Sequence, residues 1–161
     1  MAGRAALSRV AVLPAQINVL AALACAEGHG HVDRLIQDFA SGNNRFDGRG
    51  EALFVATINR QLVGVGGVNQ DPYDERSGAG RVRRVYVHPR WRRRGIAARL
   101  MACIEAHACH HFEWLNLFTS SPSAGEFYLS LGFQAVRGAH KISHRKRLSR
   151  AALPDHLQTV V

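Results

Sequence analysis

The chain has 161 residues, 47% of them hydrophobic, which excludes a disordered chain and fits one domain with its own core. Its formal net charge of +9 comes almost wholly from arginine and indicates an anionic partner: a phosphate, a nucleic acid or an acidic surface. Cys25, Cys103 and Cys109 are an odd number without paired spacing, so we expect no disulfide framework and a reducing, cytoplasmic location.

The first half of the chain is predicted to form a strand, two helices and a β-hairpin. Arg4 and Arg9 precede an apolar run, as in a secretory signal, but Pro14 and Gln16 interrupt that run. Its apolar residues instead repeat on one face of an amphipathic helix. The predicted segments are a strand at Leu7 to Leu13, helices at Pro14 to Glu27 and Val32 to Gly42, a loop at Ser41 to Gly50, and strands at Ala52 to Ile58 and Leu62 to Val68.

The second half is predicted to alternate strands with helices. Its segments are a strand at Arg81 to His88, a helix at Gly95 to His107, a strand at Trp114 to Thr119, a helix at Ser123 to Leu131, and strands at Phe133 to Val136 and His140 to Leu148. Residues 151–161 are expected to fray. No repeat, linker or long apolar run interrupts this order. We therefore expect one domain over residues 1–161, a mixed α/β fold around one sheet, and no membrane span.

A strand–turn–helix segment from Val85 to Ala97 carries the strongest functional signal. The turn holds an arginine cluster, Gly95 follows it, and a helix begins directly afterwards. Free N–H groups at the start of a helix, together with the positive end of its dipole, form a cradle for a pyrophosphate. Gly95 lets phosphates approach the backbone because no Cβ is in the way, and arginine side chains add charge-assisted contacts.

This segment resembles the acetyl-CoA-binding motif of the GNAT superfamily of N-acetyltransferases. The family signature is Gln or Arg, two residues, Gly, one residue, and then Gly or Ala. Arg92, Gly95 and Ala97 fill those positions. The signature is short, but the preceding strand, which ends in Tyr-Val-His-Pro, makes the resemblance much more specific.

A second segment, residues 121–133, is similar to the late helix of the same family, whose signature ends in a Tyr followed by Gly-Phe. Tyr128, Gly132 and Phe133 match that signature. The hairpin containing Leu62 to Gly67 also looks like the central strands of the family. The resemblance covers residues 52–148 and implies a central, mostly antiparallel sheet with a splayed strand pair, flanked by helices.

The resemblance also implies roles for particular residues. The pantetheine arm of acetyl-CoA enters the gap beside a bulged strand and bonds to backbone near Tyr86 and Val87. Tyr128 protonates or hydrogen-bonds the thiolate that leaves when an amine attacks the thioester, and Ser121 stands where many relatives have an Asn that contacts the arm. The residues expected to hold the pyrophosphate are Arg92, Arg93, Arg94, Gly95, Ile96 and Ala97.

One position departs from the pattern of the family. Many relatives place a Glu, the general base, at the start of the strand that leads into the motif, and this chain has Arg81 there. The acceptor amine then arrives neutral, or loses its proton to water or to a carboxylate among Glu51, Asp71, Asp74 and Glu75. Small amines, amino acids, aminoglycosides and protein amines all stay open as acceptors, and so does a homodimer.

Three competing hypotheses remain. The basic turn, with Trp91 among its arginines, could bind nucleic acid, although no recognised nucleic-acid motif is present. Cys103, His107 and His111 recur every four residues and could ligate zinc, but their spacing is incomplete and no metal is expected. The missing Glu is also compatible with a regulatory domain that binds acetyl-CoA without catalysis.

Overall fold

A computed structural model describes residues 3–74 and 78–149 of the chain. These residues form one seven-stranded sheet with helices on both faces. In chain order the elements are β1 (Ala6–Val10), α1 (Ile17–Ala26), α2 (His31–Ser41), β2 (Ala52–Ile58), β3 (Gln61–Gln70), β4 (Ala79–Val87), a 3₁₀ turn (Pro89–Trp91), α3 (Ile96–Ala108), β5 (Trp114–Leu117), α4 (Pro122–Ser130), β6 (Gln134–Ala135) and β7 (His144–Arg147).

The predicted order of elements is confirmed, and the differences lie at their ends. Helix α1 begins at Ile17 instead of Pro14, because the Pro14 carbonyl accepts the Ile17 N–H at 3.0 Å in a turn that precedes the helix. Strand β7 begins at His144 instead of His140, because the chain turns at Lys141, where φ is +54°. The tail predicted to fray, residues 151–161, lies outside the described residues.

The sheet is mixed, with the strand order β1-β2-β3-β4-β5-β7-β6. Neighbouring strands are antiparallel except β4 and β5, which are parallel. A parallel pair cannot be joined by a tight hairpin, and α3 supplies the crossover. The predicted mostly antiparallel sheet flanked by helices is thus confirmed.

Two hydrophobic layers cover the faces of the sheet. Strand β2 divides its side chains between them: Phe54 and Ala56 face α3 and α4, whereas Leu53 and Val55 face α1 and α2. This alternation follows from the two-residue period of a strand and explains why nearly all of β2 is buried. The predicted apolar face of α1 packs into the second layer through Ile17, Leu20, Ala21 and Ala24.

A bulge interrupts β4 shortly before its end. Val65 pairs with Tyr86 and Gly67 with Arg83, so that Arg84 and Val85 both stand opposite one residue of β3. Arg84 has φ of +61°, a rare conformation for a side chain other than glycine. The bulge bends the strand within the stretch that no longer pairs with its neighbour β5.

Strands β4 and β5 are splayed. They pair over three positions only, from Ala79 with Trp114 to Arg81 with Asn116. From Val82 to Val87, β4 has no pairing with β5 in the described part of the sheet, so a gap opens between the two strands. We call the Arg81–Asn116 pair the closed end of this gap. The splayed pair implied by the sequence is confirmed.

The longest described helix, α3, has 13 residues. Among residues 3–74 and 78–149, no helix combines the length and the apolar character that crossing a membrane would need.

Candidate active site

The turn between β4 and α3 presents unpaired backbone donors. Gly95 caps α3 with φ of +76°, and the first bond of the helix runs from the Arg99 N–H to the Gly95 carbonyl at 3.0 Å. The N–H groups of Ile96, Ala97 and Ala98 precede that bond and therefore have no acceptor within the helix. These donors and the positive end of the dipole are able to hold an anion, and we call this turn the phosphate loop (residues 92–97).

The turn itself is fixed by His88 and Pro89. His88 Nδ1 accepts a hydrogen bond from the Arg90 N–H at 3.1 Å, and Pro89 starts the 3₁₀ turn. Burial lowers the pKa of His88, which keeps the ring in the neutral form that can accept this bond. His88 therefore acts as the cap of this turn.

A cavity of about 270 Å³ lies directly on the phosphate loop. The loop and the first turn of α3 form one wall, with Gly95, Ile96 and Ala97 among its residues. Val87 at the end of β4 and Phe127 on α4 close it from the other sides. The cavity therefore connects the anion site with the open end of the gap between β4 and β5.

The side chain of Arg92 is bound within the protein. Its guanidinium donates to both carboxylate oxygens of Glu27, at 2.7 and 2.8 Å, and to the Val87 carbonyl at 3.1 Å. The Tyr86 hydroxyl donates to the same carboxylate. Glu27 thus holds the Arg92 side chain, and the backbone of Arg92 belongs to the phosphate loop.

These contacts shift the pKa values of all three groups. Hydrogen bonds from Arg92 and then Tyr86 lower the pKa of Glu27 to about 2. Burial and the bond to Glu27 raise the pKa of Tyr86 to about 12, and the bond to Glu27 raises that of Arg92. Sequence analysis missed Glu27. Glu27 lies at the C-terminal end of α1, where the negative end of the helix dipole disfavours an acidic side chain. That unfavourable position was the available indication that Glu27 pairs with a cation from another part of the chain.

We predict that Glu27→Gln destabilises the fold at neutral pH. The folded-state pKa of about 2 lies below the ordinary value of 4.5. The carboxylate therefore stabilises the fold above about pH 4.5, and this contribution is lost as the pH falls toward 2. Urea unfolding from pH 2 to 8 measures the effect. The exposed Glu126→Gln on α4 is the control, and equal midpoints for both variants at pH 7 would contradict the prediction.

The Trp91 ring is already covered. The Arg94 guanidinium lies over it at 4.8 Å, and Trp91 itself is half-buried against the core. The Trp91 ring, which had indicated stacking on nucleic acid, is thus occupied by an arginine of the same turn. Arg93 is exposed, with φ of +63°, beside the phosphate loop.

Tyr128 and Ser121 lie on α4. The Tyr128 ring is 9% exposed and packs edge-to-face on Phe127 and Phe133, with burial raising its pKa to about 12. It is Phe127, not Tyr128, that lines the cavity at the phosphate loop. Ser121 is the N-cap of α4 and accepts from the Ala124 N–H at 3.4 Å. Its hydroxyl therefore already has a structural role.

At the closed end of the gap, Arg81 is buried beside carboxylates that the protein itself engages. Asp71 lies 3.7 Å from the Arg81 Nη1 and accepts from Asn116 at 2.9 Å, and its side chain is wholly buried. Asp74 accepts from Asn116 and Arg145 at 2.8 and 3.0 Å. Both acids serve to anchor the closed end. Glu75, also considered as a base, lies outside the described residues.

The three residues considered as zinc ligands lie along α3 and its end. His107 Nε2 lies 3.1 Å from the Gly50 carbonyl, and its ring is 5.0 Å from that of His111. Within the described ranges, no group of three or more His, Cys, Asp or Glu side chains is arranged to hold a metal ion.

Comparison with known proteins agrees with this geometry. A sequence profile of the acetyltransferase (GNAT) domain matches residues 49–135. An Exiguobacterium sp. 255-15 protein, assigned as an acetyltransferase, is 30% identical with a TM-score of 0.80, over 90% of this chain and 94% of that one. No curated protein matches the chain.

More distant structures share the fold. A protein from Pyrococcus horikoshii OT3 is 16% identical with a TM-score of 0.70, over 91% of this chain and 99% of that one. A Klebsiella pneumoniae protein assigned as an acyl-CoA N-acyltransferase is 17% identical with a TM-score of 0.64, over 90% and 98% of the two chains.

The domain profile and the related structure identify an acyltransferase, and the splayed strands, the bulge and the phosphate loop fit that class. With the domain profile matching more than half of its length, the chain belongs to the GNAT family of acetyltransferases.

Proposed function

We propose that the protein transfers an acetyl group from acetyl-CoA to a primary amine. The observation that carries the proposal is the cavity on the phosphate loop, which opens beside the unpaired stretch of β4. A pyrophosphate and an extended arm need those two features side by side: backbone donors for the anion and a free strand edge for the arm. Three free cysteines support action in the reducing cytoplasm.

The cofactor would lie along β4. Backbone donors from Arg92 to Ala97 hold the pyrophosphate, and the arm bonds to backbone near Tyr86 and Val87. The unpaired stretch from Val82 to Val87 spans roughly 20 Å at about 3.3 Å per residue, so an arm laid along it leads from the phosphate loop toward the closed end. The thioester then lies near the bulge.

The reaction follows from that position. The neutral amine attacks the thioester carbonyl, the new N–C bond forms, and the C–S bond breaks with its electron pair on sulfur. Tyr128 donates the proton that the thiolate takes up, since its pKa of about 12 keeps the hydroxyl protonated at neutral pH. Arg81 cannot accept a proton and buried Asp71 is paired with Arg81, so the amine arrives neutral or loses its first proton to water. Water also takes the proton that the nitrogen loses as the amide forms, and a proton from water restores the Tyr128 hydroxyl.

We expect acetyl-CoA to bind to the phosphate loop and CoA to compete for the same site. Isothermal calorimetry with millimolar acetyl-CoA measures the binding, and a thermal shift follows from it by mass action. The absence of both heat and thermal shift would contradict the proposal.

A second candidate function is a regulatory domain that binds acetyl-CoA without catalysis. Arg81, at the position where many relatives have the base, is the observation that favours it. Turnover separates the two functions: a regulatory domain binds acetyl-CoA but releases no thiol with any amine.

A further inference from the structure

A second cavity, of about 260 Å³, lies on the face of the sheet covered by α2. The end of α2, the loop after it, the end of β3 and Arg83 of β4 form its walls. It is smaller than the ~300–1,000 Å³ of pockets that hold drug-sized ligands, so it suits a small molecule. Because Arg83 lies beyond the last β4–β5 pair, the cavity borders the gap where the thioester is proposed to lie.

The acids of this cavity are largely held by the protein. Glu51 accepts from the Gly48 N–H, the Asn69 amide and the Gln70 N–H, at 2.9 to 3.0 Å. Asp38 accepts from the Asn43 amide at 3.3 Å and lies 3.5 Å from Arg84. Both carboxylates therefore hold the loop and the bulge in place through these contacts. Asp47, the remaining acid of the cavity wall, is exposed at its rim.

Arg83 differs from those acids. Its guanidinium is half-buried and makes no hydrogen bond or ion pair with any residue the structure describes; its contact is the Tyr73 ring, 6.0 Å away. A half-buried charge without a counter-ion is costly, which leaves Arg83 available for an anion.

The surroundings of Arg83 strengthen its positive field. Arg81 lies over the same Tyr73 ring at 4.7 Å, and the Lys141 Nζ is 4.8 Å from it. Arg81 is 7% exposed, and its Nη1 has no hydrogen-bond partner among the described residues. Among the described residues, Asp71, 3.7 Å from Arg81, is the one carboxylate paired with these three cations. The field of Lys141, Arg83 and Arg81 lowers the pKa of the Tyr73 hydroxyl.

We infer that this cavity binds the acceptor, and that Arg83 pairs with a carboxylate on it. The substrate class is then a small amine that also carries a carboxylate, as free amino acids do. A guanidinium suits this role because its planar donors match the two oxygens of a carboxylate. The acetyl transfer itself rests on the proposed function, whereas the carboxylate site stands on Arg83 and its neighbours.

The test compares amino acids with their amides, for example glycine with glycinamide and alanine with alaninamide. Calorimetry on protein saturated with CoA measures binding, and thiol release from acetyl-CoA measures kcat and KM. The wild type is expected to bind at least one acid about 10- to 100-fold more tightly than its amide, the range of a charge-assisted contact. Arg83→Gln should remove that preference through KM, Arg83→Lys should restore part of it, and neither should change the affinity for acetyl-CoA.

Arg60→Gln is the matched control, because it removes one exposed positive charge at the β2–β3 turn, the other end of β3 from the cavity. It should keep the preference for acids. Equal affinity for acids and amides in the wild type, or an equal loss for both in Arg83→Gln, would overturn the inference. Binding of acids without any binding of acetyl-CoA would instead retain the carboxylate site and reject the proposed function.

Discussion

Gly95→Glu should weaken acetyl-CoA binding by about 100-fold or more while leaving the domain folded. A Cβ at this position meets no atom within 4 Å, so the first side-chain carbon causes no clash. The positive φ of 76° adds a strain of about 1–2 kcal/mol for a residue with a Cβ. The larger effect is electrostatic. Two like charges about 4 Å apart repel by ~1 to ~4 kcal/mol at effective dielectric constants of 80 to 20.

Gly95→Ala separates the two causes. It carries the same backbone strain but no charge, so it should bind acetyl-CoA within about 10-fold of the wild type, in keeping with that strain. Circular dichroism checks the fold of both variants, and calorimetry gives their affinities. A folded Gly95→Glu protein with wild-type affinity would mean that the cofactor phosphates lie elsewhere than on the loop of residues 92–97.

Tyr128→Phe should reduce turnover by up to ~10²-fold while keeping acetyl-CoA affinity within a few-fold, the low end of the ~10²–10⁴ that general-acid catalysis supplies. The ring packs on Phe127 and Phe133, and those contacts do not need the hydroxyl. The lost group matters when negative charge develops on sulfur. Because the pKa of Tyr128 is raised to about 12, the hydroxyl is a proton donor throughout the accessible pH range.

Steady-state kinetics at saturating acetyl-CoA measures this effect for any acceptor that is turned over. The reduction should be similar from about pH 6 to pH 9, since the hydroxyl does not ionise there. Equal turnover of variant and wild type at every pH would leave Tyr128 as core packing, in keeping with its 9% exposure. A fall in affinity with unchanged turnover would make it a cofactor contact.

The hairpin and the turn that leads into α3 could be predicted because their signals are local. Strand β2 was predicted with its observed bounds, since its residues are almost all apolar and a turn follows directly. Gly95 marked the start of α3 to within one residue. Such features depend on neighbours in sequence, and a short motif contains them.

Contacts between distant residues could not be predicted in this way. The Glu27–Arg92 pair joins residues 65 positions apart, and no pattern in either segment specifies its partner. The same holds for Asp71 and Arg81, which meet only because a loop returns to the start of β4. The burial of Tyr128 behind Phe127 depends on how α4 packs, and the sequence signature of that helix does not encode its rotation.

The most direct test of the central claim is thiol release from acetyl-CoA in the presence of a panel of primary amines, with mass spectrometry of the products. We predict that at least one amine gains a single acetyl group, with one thiol released per acetyl transferred. Gly95→Glu should abolish both signals at the acetyl-CoA concentration that half-saturates the wild type. Acetyl-CoA binding without thiol release on any amine would contradict the account and favour a regulatory domain.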